Sequence, residues 1–200
     1  MAQSALERLT RLVRKFGVIR SRDLARYGVA RQYLRVAEQR GILRRAGRGI
    51  YLPENAKITE HHSLAEASKR VPGGVICLFS ALRFYDLTTQ SPFEVWIAIG
   101  QKARTPKVDN VKLRVVRFSP ETLRFGVVKY RIEGIEVPVF TPAKTVADCF
   151  KFRHKIGLDI ALEALRDTFR QKKATIDMIW AAAKICRVAN VMRPYLESLG

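Results

Sequence analysis

Residues 17–53 read GVIRSRDLARYGVARQYLRVAEQRGILRRAGRGIYLP, and this stretch decides the fold of the first part of the chain. Ser21 stands where an N-cap belongs, able to accept an otherwise orphaned backbone N–H. The short helix it would open, Arg22–Tyr27, buries Leu24 and stops at Gly28. A second helix over Ala30–Arg40 puts Ala30, Leu34 and Ala37 on one face and ends at Gly41. Its other face carries Arg31, Gln32 and Arg35, with Tyr33 at the border. Two short helices joined by a tight Gly28-Val29 turn make a helix-turn-helix.

Working outward, the preceding residues place Leu6, Leu9, Val13 and Phe16 at helical spacing up to Gly17, and Val18-Ile19 is a strand-like pair. On the other side, Ile42–Arg45 and Ile50–Leu52 read as two strands around the glycine-rich turn Ala46–Gly49. Pro53 closes the unit. Three helices and a hairpin are the parts of a winged helix-turn-helix, which sets the first domain at residues 1–56.

Charge is concentrated in the same segment. The 200-residue chain has a formal net charge of +19, from 37 Lys and Arg against 18 Asp and Glu. Residues 1–56 hold thirteen of those cations and only four acids, and twelve of the thirteen are arginine. Arginine's planar fork grips phosphate and guanine edges through two bonds at once. A helix-turn-helix sends its second helix into the major groove, so Arg31, Gln32, Tyr33 and Arg35 are the candidate DNA contacts there. Arg44, Arg45 and Arg48 are the candidates on the hairpin, where an arginine can follow the backbone or enter a narrow minor groove. Arg20 and Arg22 are placed to hold phosphate near the start of the second helix.

Several classes are set aside by what the sequence lacks. Its longest apolar runs, such as Val95–Ile99, fall far short of the roughly 20 residues that span a bilayer, and the first residues lack the apolar core of a secretory signal. With no membrane partner indicated, a cytoplasmic location is expected. Cys77, Cys149 and Cys186 are odd in number and widely spaced, as reduced thiols are, and none neighbours a histidine at zinc-ligand spacing. No metal, no cofactor and no catalytic residue is expected.

Residues 57–200 read as a second, α+β domain: a small mixed sheet flanked by helices, with helices again at its end. Helices are expected at His61–Val71 and Cys77–Leu87, followed by strands at Phe93–Ile99 and Lys112–Phe118. The first of these strands puts Phe93, Val95, Ile97 and Ile99 on one face and Trp96 and Ala98 on the other, so both faces are expected to be covered. Val128–Phe140 alternates around a Glu133-Gly134 turn, which would set Arg131 opposite Glu136, and Pro138 argues for an edge strand. Thr141-Pro142 opens the first of four further helices, near Thr141–Lys151, Leu158–Lys172, Ile176–Cys186 and Val191–Leu199. Asp148, one turn after Lys144, is read as half of a surface ion pair. A metal-dependent nuclease using Asp148 is the catalytic alternative, and it lacks the converging carboxylates that such chemistry needs. Arg166, Arg170, Lys172, Lys173, Lys184, Arg187 and Arg193 make the end of the domain basic, which suits either a solvated face or a contact with RNA.

The 17–53 string resembles the amino-terminal winged-helix domain of AbiEi-type antitoxins of type IV toxin–antitoxin, or abortive-infection, systems. The resemblance rests on Asp23-Leu24-Ala25, Gly28-Val29, Arg31, Leu34, Arg40-Gly41, Leu43, Arg45 and Gly47–Tyr51. More loosely, CLFSALRFYDL and TPAKTVADCF resemble the family's second domain. The resemblance implies a phage-defence repressor that binds double-stranded operator DNA upstream of its own operon. It also implies a functional link to a nucleotidyltransferase-like toxin, without a stable complex. The alternative is an interaction module in which the second domain binds RNA or the toxin.

Overall fold

In the computed structural model the described residues are 5–16, 19–47, 49–54, 61–90, 92–106, 108 and 111–198. The chain forms two compact units, Met1–Ala65 with Arg131–Glu136, and Glu66–Tyr130 with Val137–Gly200.

In the first unit, α1 (Ala5–Phe16) leads into β1 (Ile19–Arg20), a 3₁₀ helix (Ser21–Tyr27) and α2 (Gln32–Gln39). A hairpin of β2 (Leu43–Gly47) and β3 (Ile50–Pro53) follows. The three strands form one sheet in the order β1-β3-β2, and both pairings are antiparallel. The apolar spacing read from the sequence makes the core: Leu9, Val13, Ile19, Leu24, Val29, Leu34, Ala37 and Leu43 are all buried together. Each leucine so buried contributes roughly 1.5–3 kcal/mol.

Two glycines shape this unit. At Gly28, with φ of 64°, the amides of Gly28 and Val29 bond back to the carbonyls of Ala25 and Leu24. At Gly41, with φ of 62°, the amides of Gly41 and Ile42 bond back to Glu38 and Ala37. Both are the paired closure that lets a helix end in a left-handed residue, and each drops an apolar side chain (Val29, Ile42) onto the core.

Two expectations are corrected here. Ser21 caps nothing: Arg20 precedes the helix without a side-chain cap, and the Ser21 amide donates instead to the carbonyl of Gly49 at 2.9 Å. That long-range bond ties the start of the 3₁₀ helix to the hairpin turn. Ala30 is exposed, because α2 begins two residues later than its apolar spacing suggests and Val29 takes the core position. The Gly17 stop and Val18 lie outside the described residues.

The second sheet has five strands: β4 (Val75–Ile76), β5 (Val95–Gly100), β6 (Leu113–Phe118), β7 (Val127–Ile132) and β8 (Ile135–Phe140), in the order β6-β5-β4-β8-β7. Strand β5 runs parallel to β6 from Val95↔Leu113 to Gly100↔Phe118 and antiparallel to β4. Val95, Ile97 and Ile99 are buried on one face of β5, as expected. On the other face Ala98 is buried but Trp96 is only half-buried, so that face is covered in part, and Phe93 precedes the strand and is 84% exposed. Glu133 and Gly134 both have positive φ, the conformation of a two-residue hairpin turn between twisted strands.

Strand β8 is interior, not at an edge. Its neighbour β4 is two residues long and meets it at Val139 alone, one residue beyond Pro138, so a proline is tolerated there. The helices of this half are α3 (His62–Arg70), α4 (Leu78–Phe84), α5 (Pro120–Arg124), α6 (Pro142–Lys151), α7 (Arg153–Ile156), α8 (Leu158–Arg170), α9 (Ile176–Ile185) and α10 (Ala189–Glu197). Thr141 caps α6 as expected, accepting from the Lys144 amide with Pro142 at the first helical position.

Lys144 and Asp148 do pair, yet not on a surface. Both side chains are fully buried, because α6 packs from Ala143 to Phe150 into the interior of its unit. The i,i+4 spacing fixes the pair but says nothing of which face of the helix is covered.

Candidate nucleic-acid interface

The exposed face of α2 is set by the two glycine closures. With Leu34 and Ala37 turned into the core, Arg31, Gln32 and Arg35 are left in solvent around the helix's first turn. Arg31 is the N-cap itself, so its side chain and that of Gln32 sit at the positive end of the helix dipole. Tyr33 is half-buried and packs against the core. Arg40 and Glu38, near the other end, are also exposed.

On the hairpin, Arg44 lies across from Leu52 and is half-buried, whereas Arg45 lies across from Tyr51 and is exposed. The register slips between Arg45 and Gly47, which leaves Ala46 as an extra residue and bends the strand just past the two arginines. Arg48 lies outside the described residues. The Ser21–Gly49 bond brings the hairpin turn to the start of the 3₁₀ helix, between Arg20, half-buried, and Arg22, exposed and 3.9 Å from Asp23.

The structure adds one cation that the sequence reading passed over. A Cβ placed on Gly28 would lie 3.6 Å from Arg8 Nη1, so the Arg8 guanidinium covers the turn between the 3₁₀ helix and α2. From spacing alone Arg8 is one more polar-face residue of α1, and only the packing of α1 reveals where its head lands.

Residues 7–53 match the family model described as transcriptional regulator, AbiEi antitoxin. This part of the chain is similar to the AbiEi antitoxin regulators. The match covers about a quarter of the sequence and coincides with the helices and hairpin described above. The coarse role that accompanies an AbiEi-type unit is transcriptional regulation. Over 92% of its length the chain is also similar in fold to the crystal structure of the RV2827C protein from Mycobacterium tuberculosis. That likeness has a TM-score of 0.57 at 15% identity and covers 72% of the other chain. No curated protein matches in sequence.

Outside the AbiEi-type unit, Lys144 and Asp148 form an ion pair with both side chains fully buried. Lys144 Nζ donates to both oxygens of Asp148 and stands 4.2 Å from the ring centroid of Phe140 and 4.8 Å from that of Phe118. Cys186 Sγ donates to Asp148 Oδ1 at 3.4 Å. Burial raises the Asp148 carboxyl above its ordinary range, and the nearby ammonium only partly offsets this. With no exposed surface, this carboxylate has no route to a substrate or a hydrated metal ion. Among the described residues no cluster of three or more His, Cys, Asp or Glu could hold a metal, and no helix is long and apolar enough to cross a membrane.

Proposed function

We propose that the chain is the DNA-binding repressor and antitoxin of a type IV toxin–antitoxin, or abortive-infection, system, and that it is not an enzyme. The first unit acts as a winged helix-turn-helix, with α2 as the recognition helix in the major groove and the β2–β3 hairpin as the wing. It binds double-stranded operator DNA upstream of its own operon. The observation that carries this reading is the exposed first turn of α2, Arg31, Gln32 and Arg35, inside a segment that matches the AbiEi antitoxin regulators. Arg31 and Arg35 have the chemistry to read guanine edges, while Arg20, Arg22, Arg44 and Arg45 supply sequence-independent phosphate contacts. Arg48, which the sequence puts in the turn between the two strands, is proposed as a further DNA contact. The second domain counteracts a nucleotidyltransferase-like toxin without forming a stable complex.

Fluorescence anisotropy with the duplex upstream of the gene, against a scrambled duplex at two salt concentrations, tests the DNA arm. A preference for the native duplex that survives added salt supports sequence reading, since backbone neutralisation alone is sequence-blind and steeply salt-dependent. Loss of that preference in the Arg31→Ala, Arg35→Ala double variant assigns it to α2. Equal, salt-labile binding to both duplexes would reject the repressor reading. Rescue from the toxicity of a co-expressed neighbouring gene product tests the antitoxin arm.

A further inference from the structure

The second unit carries an aromatic cleft ringed by cations that the DNA-reading proposal does not use. Phe79 leaves α4 and Trp96 leaves β5, and their ring centroids lie 5.5 Å apart at 58°. The arrangement is built in: the hydroxyl of Ser80, next to Phe79, accepts the Trp96 backbone amide at 2.9 Å. Phe93, just before β5, closes one wall with a ring that is 84% exposed. The cleft between them has a volume of about 380 Å³, at the lower end of small-ligand sites.

Among the described residues Phe93 is the most exposed large hydrophobic side chain, and its neighbours are charged. Lys112 Nζ stands 5.8 Å from the Phe93 ring centroid, and the Arg114 guanidinium stands 5.6 Å from that of Trp96. Lys155 lies on the rim as well, against one acid, Glu94. Aromatic faces that take bases, with cations alongside that take phosphates, are the combination by which proteins hold unpaired nucleotides. A base pair inside a duplex offers no free face to such rings.

We infer that this cleft binds single-stranded nucleic acid, stacking bases on Phe93 and Trp96 and pairing the adjoining phosphates with Lys112, Arg114 and Lys155. The site is separate in sequence from the AbiEi-type segment, so it stands or falls independently of operator binding.

The test is binding of a fluorescein-labelled oligouridylate of about twelve nucleotides to the full chain at fixed ionic strength. Phe93→Ala leaves the net charge unchanged and removes an exposed ring, so it separates stacking from general electrostatic attraction. It is expected to weaken oligouridylate binding by about fivefold or more, the lower end for losing one stacked base, while duplex affinity is unchanged. In a Trp180→Phe background, oligouridylate should quench the fluorescence of Trp96, and the Arg31→Ala, Arg35→Ala variant should bind the oligomer as the native chain does. Equal affinity of native and Phe93→Ala proteins for the oligomer, or unquenched Trp96 at saturation, would overturn the inference.

Discussion

Lys144 and Asp148 face each other one turn apart on α6, with the ammonium bonded to both carboxylate oxygens and neither side chain exposed. Two full charges taken out of water lose several kcal/mol of hydration each by order of magnitude, and their attraction repays this only while the pair is whole. The Phe118 and Phe140 rings and the Cys186 thiol supply the remaining partners, so each charge has all its neighbours inside the fold.

Removing one partner should therefore be worse than removing both. Lys144→Met is expected to destabilise the protein by about 3–5 kcal/mol, because it leaves an uncompensated buried carboxylate. Lys144→Met combined with Asp148→Leu should recover most of that loss. Urea unfolding midpoints of the two variants against the native chain measure the difference. A double variant as unstable as the single one would mean that the pair does more than neutralise itself.

The three thiols should be inert in the folded state. Cys77, Cys149 and Cys186 are all buried, and burial raises each thiol pKa, with the Asp148 charge raising it further. Cys186 is pushed up to about 12. Since the thiolate is the reactive form and the folded pKa lies above the ordinary value, the thiols stay protonated near neutral pH. A colorimetric disulfide reagent at about pH 8 should label none of them until denaturant is added, and three afterwards. Rapid labelling of the native chain would contradict the buried placement.

Gly41 and Gly49 make a controlled comparison. Both have positive φ, but a Cβ at Gly41 meets open space, whereas one at Gly49 would come within 2.9 Å of Ser21 Oγ. Gly41→Ala should therefore show only the backbone penalty, on the order of 1 kcal/mol, and Gly41→Asn less. Gly49→Ala should be clearly more destabilising, since it also disturbs the bond that anchors the hairpin turn to the 3₁₀ helix. Thermal unfolding of the three variants tests the order.

How much of this was legible follows from the range of the forces involved. The glycine stops at Gly28 and Gly41, the Thr141 cap and the Glu133-Gly134 turn are local, and their residues announce them. Ser21 misled because its amide is claimed by Gly49, far along the chain. Strand β4 is two residues long and carries no period, and without it Pro138 reads as an edge. The Lys144–Asp148 spacing predicts the pair, while its burial depends on what packs against α6. The Phe79–Trp96 cleft is assembled from separate segments, and only Phe93, an aromatic beside a strand, left a trace that could be misread as core.

The arginines of the first unit should separate by what they touch. A phosphate contact releases condensed counterions, so losing one lowers the slope of log affinity against log salt by about 1 and weakens binding to every sequence alike. Arg22, exposed at the start of the 3₁₀ helix, is placed for that role, and Arg22→Ala should shift native and scrambled duplexes equally. On the proposed reading Arg31, at the start of α2, enters the groove, and Arg31→Ala should cost about 1–3 kcal/mol on the native duplex alone. It should also relax the preference at one position of the site. Anisotropy titrations of both variants over a salt series, with single-base-pair substitutions in the duplex, distinguish the two signatures. If Arg31→Ala behaved as Arg22→Ala is expected to, α2 would lie along the backbone, and the sequence would have to be read by other groups.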